Sequence, residues 1–308
     1  MGEWGDLHER ETGVRVATVA DWIEGARLRT LPAAFSPVLA GTAVAVFYDG
    51  FRWERALLAL VVALALQVGV NFANDYSDGV RGTDSAELRS GPQRLVGSGV
   101  ASPAVVKRAA FGCFAIAAAA GLALTLMTQA WWLLAVGAAA IVAAWFYTGG
   151  KHPYGYAGLG EVFVFVFFGL VAVAGTTFVQ LGRVPEASWW AALAVGSLAC
   201  AILVCNNLRD IAGDAQVGKR TLAVRLGDRN TRWFFVVLIA ATLFGVVQVA
   251  AATSWWALLG LVGAVFLIGP VRLMLDGASG LLLIHVLKLV GIAELVCSAG
   301  LLVGLAIA

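Results

Sequence analysis

The chain has 308 residues, of which 60% are hydrophobic and 13% charged, and its formal net charge is +2. Mean hydropathy is +0.86. No soluble fold of this size can hide that much apolar surface, and disorder needs the opposite composition, so both are excluded. Unbroken apolar runs such as 56–70 and 234–252 indicate helices rather than the short alternating strands of a membrane barrel. The expected fold is all-α, a polytopic membrane bundle.

In chain order, residues 1–26 mix acids and bases without an apolar core. They read as an N-terminal extension on the cytoplasmic side and not as a cleavable signal. Runs of membrane-spanning length then predict nine helices, at 31–48, 54–74, 103–127, 131–147, 159–181, 189–208, 233–252, 255–275 and 281–307. Residues 27–308 would thus form a single membrane domain. With the N-terminus inside, the inner segments hold seventeen Lys and Arg and the outer ones three, which assigns a cytoplasmic N-terminus. Trp53, Trp131, Trp132, Trp189, Trp190, Trp255 and Trp256 open the even-numbered helices and form one interfacial belt on the outer side. Cys113, Cys200, Cys205 and Cys297 lie in or beside apolar runs without a C-x-x-C pair, and read as buried thiols. In the last span, Lys288 is close enough to the inner surface to snorkel, while Glu294 has no partner assignable from sequence.

Two inner segments are long and polar, 71–102 and 205–232. Each opens with N-x-x-x-D, Asn74 to Asp78 and Asn206 to Asp210, with a further acid at Asp84 and Asp214. The i, i+4 spacing puts each pair on one face of a continuing helix. Acids gathered on facing helix ends repel unless a cation sits between them, and the negative helix dipole ends add to that demand. Hard oxygen donors without His or Cys favour Mg²⁺, which completes its octahedron with water and substrate phosphates. Arg81, Arg94, Lys151, Lys219 and Arg220 then read as phosphate partners. The residues alone point to a diphosphate bridged by Mg²⁺ to two Asp clusters at the inner membrane surface.

The first acidic segment and the Asn206/Asp210/Asp214 element resemble the two Asp-rich motifs of the UbiA superfamily of intramembrane aromatic prenyltransferases. Five segments in order, RTLPAAFSPVLAG (29–41), NFANDYSDGVRGTD (71–84), GPQRLVGSG (91–99), YTGGKHPYGYAGLGE (147–161) and NNLRDIAGDAQVGKRTLAVRLG (206–227), are similar to the 1,4-dihydroxy-2-naphthoate polyprenyltransferases of menaquinone synthesis. The resemblance implies nine helices around a central cavity with two Mg²⁺ ions holding the diphosphate of a polyprenyl donor. Ionisation of the allylic C–O bond would let the naphthoate ring attack with loss of its carboxylate, giving demethylmenaquinone.

Carried over by position, Asn74, Asp78, Asp84, Asn206, Asp210 and Asp214 would be metal ligands. Asp78, Asp84, Asp210, Asp214 and Lys151 would carry the catalysis. Arg81, Arg94, Tyr147, Lys151, Lys219 and Arg220 would face the diphosphate, with Arg29, Asp75 and Glu161 as weaker candidates. The expected partners are polyprenyl diphosphate, 1,4-dihydroxy-2-naphthoate and the lipid bilayer, with no nucleic acid. Competing expectations are another aromatic acceptor (4-hydroxybenzoate, homogentisate) and a transporter in which the Asn/Asp pairs bind a cation at mid-membrane.

Overall fold

The computed structural model describes residues 17–82 and 94–308. Among them there are helices and turns but no strands. Asp84 and residues 1–16 lie outside the described residues.

Helix α1 (Val19–Ala26) is started by a reciprocal cap: the Thr18 backbone N–H and hydroxyl both donate to Asp21 Oδ2 at 2.7 Å, and Asp21 N–H donates back to Thr18 Oγ1 at 3.3 Å. It stops at Arg27, whose φ of 55° is left-handed. A short 3₁₀ turn then leads to α2 (Pro32–Phe47), bent by 47° from the preceding helical piece. Pro32 at the first helical position suits that start, since the N–H it lacks has no partner there. Gln67 and Asn71 brace the bend: both amides donate to Thr30 Oγ1, at 2.8 and 3.1 Å, and Asn71 also donates to the Ala26 carbonyl.

Next come α3 (Trp53–Arg81), α4 (Pro103–Thr128), α5 (Trp132–Phe146) and α6 (Gly160–Leu181). They are followed by α7 (Glu186–Arg209), α8 (Ile211–Gln216), α9 (Leu222–Ala252), α10 (Trp255–Leu275) and α11 (Leu281–Ala306). Helix α6 carries a π-helical stretch, Phe165–Ala174, and the first part of α10, Trp255–Leu267, is wound as 3₁₀.

All nine expected segments are helical, but the expected number of spans is not reached by length. Seven helices are long and apolar enough to cross a membrane, and eight if the bent pair at the start counts as one span. Helix α5, with 15 residues, is only about 22 Å long at 1.5 Å per residue. A hydrocarbon core is about 30 Å thick. The chain is a multi-pass membrane protein. As the spacing of Asn74 and Asp78 implies, the first polar segment opens as a continuing helix. Helix α3 runs seven residues past the predicted end of its span, and α9 opens at Leu222 within the second polar segment with a short piece that is broken from the rest of the helix at Gly227 (φ 76°, ψ 168°).

Helix α7 is the axis of the bundle. It is 78% buried over its apolar window, against 28–50% for the other spans. Its small residues let neighbours approach closely, as packing in lipid requires. Gly196 meets Gly169 of α6 so tightly that an added Cβ would come within 2.9 Å of the opposing Cα. The tryptophans at positions 53, 131, 132, 189, 255 and 256 are exposed on the outside of the bundle. Arg232 ties α9 to the α10–α11 turn, pairing with Asp228 and donating to the carbonyls of Met274 and Ala278, both at 3.0 Å.

Candidate active site

The final turns of α3 stay helical although the sequence has become polar, and they end at Gly82, where φ is 71°. Successive helical residues are rotated by about 100°, so Asn74 and Asp78 share one face while Asp75 turns to another. Asn74 and Asp78 line a cavity. The fully buried Asp75 instead accepts the backbone N–H groups of Leu95 and Val96, both at 2.9 Å, and pins the returning chain. Asn74 Oδ1 accepts from the Thr148 hydroxyl at 2.8 Å.

The second acidic element does not continue as one helix. Helix α7 stops at Arg209, and Asp210 has non-helical φ and ψ of −94° and 4°. Arg209 grips Asp210 with two donors at 2.8 and 2.6 Å, a bidentate geometry that holds the break in place. Helix α8 restarts beyond it and carries Asp214. Gly218, with φ of 78°, then reverses the chain in a conformation that glycine adopts without strain. The reversal sends Lys219 back towards the acids.

The two elements close on each other at one place. Lys219 Nζ stands 3.6 Å from Asp78 Oδ2 and 3.9 Å from Asp214 Oδ1, so a single ammonium touches both acidic motifs. It also lies 4.6 Å from the centre of the Tyr156 ring, whose hydroxyl donates to Asp78 Oδ1 at 2.6 Å. Asn206, Asp210 and Asp214 line the same cavity as Asn74 and Asp78. Its volume is ≈ 760 Å³. Below the polar cap the walls are apolar, from residues such as Val38, Ala63 and Val70 on one side and Phe163 and Phe167 on the other. Leu122, Leu134 and Trp132 line the cavity and are also exposed on the outer surface, so the cavity reaches the lipid-facing side of the bundle.

The remaining predicted residues divide. Arg94, Tyr147 and Lys219 line the cavity. Arg81 lies outside its lining: its guanidinium donates to the carbonyls of Thr148 and Gly150 and sits 5.3 Å from the Tyr156 ring. Lys151, Arg220 and Arg29 are exposed and do not line it either. Buried Glu161 stands behind the wall, where its Oε1 accepts from Asn207 Nδ2 at 2.8 Å. His285 and Lys288 are exposed, and Glu294 is fully buried with no hydrogen-bond partner for either oxygen among the described residues.

Sequence reasoning passed over Tyr156, Arg209, Asn207 and Arg27, all of which line the cavity. Arg209 could have been noticed as the cation adjoining Asp210; Tyr156 is 78 positions from its partner Asp78 and carries no local signal. Burial raises the phenol pKa of Tyr154, in the turn before α6, above its ordinary range. The phenol therefore stays a protonated donor at neutral pH, and it donates to the Ala143 carbonyl at 2.8 Å.

The donors on this cap are carboxylates and carboxamides from two helix ends, the hard oxygen chemistry that suits Mg²⁺. Among the described residues no group of three or more His, Cys, Asp or Glu is gathered tightly enough to hold a metal alone.

An all-helical, multi-pass membrane protein with an acid- and cation-capped apolar cavity is the class that this geometry defines. A model of the UbiA prenyltransferase family matches residues 34–280. The chain belongs to that family. It is 51% identical over 284 residues to the 1,4-dihydroxy-2-naphthoate octaprenyltransferase of Mycobacterium tuberculosis, covering 91% of this chain and 95% of the relative. The protein of the same name from Escherichia coli is 38% identical, with 85% and 87% covered. Among solved structures, a UbiA homolog from Aeropyrum pernix superposes with a TM-score of 0.70 at 17% identity, over 88% of this chain and 97% of that one. One from Archaeoglobus fulgidus, bound to DMAPP and Mg²⁺, gives 0.62 at 15% identity, over 94% and 100%.

Proposed function

We propose that this protein transfers a polyprenyl group from polyprenyl diphosphate to 1,4-dihydroxy-2-naphthoate, with loss of the ring carboxylate, giving demethylmenaquinone and diphosphate. The observation that carries the reading is the meeting of both acidic motifs at Lys219, over a cavity whose remaining walls are apolar. The names of the relatives at 51% and 38% identity support the acceptor, and the Mg²⁺-bound structural neighbour supports the metal.

Asn74, Asp78, Asn206, Asp210 and Asp214 would hold Mg²⁺, two ions on this reading, with Asp84 as a further ligand. Bound Mg²⁺ would supply Lewis acidity to the leaving diphosphate. Lys219, Arg94 and Arg209 place positive charge where the diphosphate oxygens gain negative charge, so they favour the transition state over the ground state. Tyr156 and Arg209 hold Asp78 and Asp210 in place by the bonds given above. The apolar walls exclude water from the allylic cation, and the lipid-side opening lets a long isoprenoid tail stay out of water.

With α5 and the bent α1–α2 pair both crossing the bilayer, nine spans leave the cap on the same side as the N-terminus. The excess of Lys and Arg on that side makes it the cytoplasmic face of the cell membrane. Residues 27–308 form the catalytic domain on this reading.

The test is incubation of purified protein with a polyprenyl diphosphate and 1,4-dihydroxy-2-naphthoate, followed by the mass of the product. A decarboxylated, prenylated naphthol that disappears with chelator and returns with Mg²⁺ is the expected result. Folded protein that yields product only from 4-hydroxybenzoate or homogentisate would overturn the acceptor, and protein inactive with every acceptor would overturn the reaction.

A further inference from the structure

Helix α7 presents a stripe to the cavity. Ala199, Ile202, Leu203 and Asn206, spaced three and four apart, all line it, and Asn207 lines it beside them. The stripe is apolar as far as Leu203 and turns polar in the last helical turn. Asn207 therefore lies on the seam between the apolar chamber and the charged cap, three positions or about 4.5 Å along the axis from Asp210. Its Nδ2 donates to Glu161 Oε1 at 2.8 Å. Turned the other way, the carboxamide would set oxygen against oxygen, so Glu161 fixes which end of the amide is used up. No described residue donates to the remaining Oδ1. Glu161 is itself held. Its backbone carbonyl accepts from Cys200 Sγ at 3.2 Å, and a Cβ on the adjoining Gly160 would come within 3.2 Å of Leu203 Cδ2. The Glu161 side chain is buried, and its Oε2 has no hydrogen-bond partner among the described residues. A buried acid with an orphaned oxygen costs stability, so packing alone does not account for it.

We infer that Asn207 Oδ1 receives a ring hydroxyl of the aromatic acceptor, and that Glu161 is the positioning residue that keeps the amide turned to do so. The inference rests on the prenyl-transfer reading above and adds to it how the acceptor is recognised. The donor carbon that reacts is bonded to a diphosphate oxygen, so the acceptor ring has to lie directly beneath the cap, at the level of Asn207. The electron pair of the allylic C–O bond leaves with diphosphate, and a ring carbon forms the new C–C bond. The neighbouring ring hydroxyl then shares the positive charge and becomes a stronger donor. Its proton stays on oxygen, and the bond pair released as the carboxylate departs as CO₂ restores the aromatic ring. The hydrogen bond to Oδ1 thus tightens towards the transition state. The same geometry disfavours an acceptor whose hydroxyl is blocked, because Oδ1 is then left facing an apolar group.

The probes are the two mono-O-methyl ethers of 1,4-dihydroxy-2-naphthoate, used as competitive inhibitors, and the variants Asn207→Leu, Glu161→Leu and Glu161→Gln. In the wild type one ether should bind about ten-fold more weakly than the other, since only one hydroxyl meets Oδ1. Asn207→Leu should erase that preference and raise the acceptor KM by about ten-fold, with the donor KM unchanged. Glu161→Leu should do the same, and the double variant should be no worse than either single one, because Glu161 acts through Asn207. Glu161→Gln keeps an oxygen that accepts from Nδ2 and should restore the wild-type acceptor KM. Equal Ki values for the two ethers in the wild type, a measurement that needs no variant to fold, would overturn the inference. So would a donor KM that rises in step with the acceptor KM, or losses that add in the double variant. Wild-type protein that prenylates no naphthoate would instead remove the reading on which it rests.

Discussion

Asp78→Asn separates the chemistry of the cap from its architecture. Asparagine keeps an oxygen that can accept the Tyr156 hydroxyl, now 2.6 Å from Asp78 Oδ1, but it removes the charge that faces Lys219 at 3.6 Å. At that separation a unit charge contributes about 4–5 kcal/mol with an effective dielectric of 20. A site built to balance a metal-bound diphosphate would lose an interaction of that order, or about 10³-fold in turnover. Stability should suffer less than when a buried pair is broken outright, because Lys219 keeps Asp214 at 3.9 Å as a second partner and is not left uncompensated. A loss of about 1–2 kcal/mol, or a few degrees in Tm, is expected. The assay is diphosphate release under saturating donor and acceptor, with thermal unfolding in the same detergent. Turnover within about ten-fold of wild type would refute the assignment of Asp78 to the reacting centre. A collapse in Tm would show it to be architectural.

Asp75→Asn should behave in the opposite way. It replaces an acceptor of two backbone N–H groups with a side chain that can accept only one and turns an NH₂ towards the other, so about 2–3 kcal/mol of stability should go, and activity should fall with Tm and not beyond it. Alkaline stability tests the buried phenols. The Tyr154 pKa is raised in the fold, so above about pH 10 the folded chain retains a proton that the unfolded chain gives up, and stability falls as pH rises; Tm followed from pH 9 to 11 should decline less steeply in Tyr154→Phe. Glu294→Met removes two buried oxygens that have no partner among the described residues and should leave Tm unchanged or higher, whereas a marked loss of Tm would assign Glu294 a stabilising partner.

The acidic pairs were legible because helical spacing is a local property. Asn74 and Asp78 share a face of α3, and that could be read from four positions of chain. The second pair shows the limit of the same rule, since α7 breaks at Asp210 and the acids reach the cavity through a turn and a new short helix. Lys151 and Arg220 adjoin motif residues, yet both side chains are exposed, whereas Arg209 and Tyr156 bond directly to motif acids. Neighbourhood in sequence therefore does not by itself say which side chains meet the acids: Arg209 adjoins Asp210 and bonds to it, while Tyr156 reaches Asp78 from far along the chain. Which cation faces the acids depends on how the Tyr154–Ala157 turn folds over α8 and α9, where Arg220 N–H donates to the Tyr156 carbonyl at 2.9 Å. That is a tertiary fact without a period to read. The aromatic lining of the cavity is in the same position: Tyr147 and Tyr154 precede α6 and Phe163 and Phe167 lie on it, yet all four line one cavity.

The cap also explains why its acids can sit together at a membrane edge. The described cavity lining holds Asp78, Asp210 and Asp214 together with Arg27, Arg94, Arg209 and Lys219, of which Arg209 pairs with Asp210 and Lys219 with Asp78 and Asp214. Mutual repulsion of the carboxylates is thus offset by the protein itself before any ligand arrives, which keeps the cost of assembling three anions next to an apolar chamber low. The arrangement also limits what the site can bind well. A bare diphosphate would gain the cations but press against the carboxylates, and a bare divalent ion would gain the carboxylates but press against Lys219, which stands between two of them. Only a ligand that brings both signs of charge, oxygens for the cations and a metal for the acids, satisfies every group at once. On the prenyl-transfer reading, a cap with mixed charge would favour the metal–diphosphate complex over either component, and would do so at the polar end of an otherwise mostly apolar cavity.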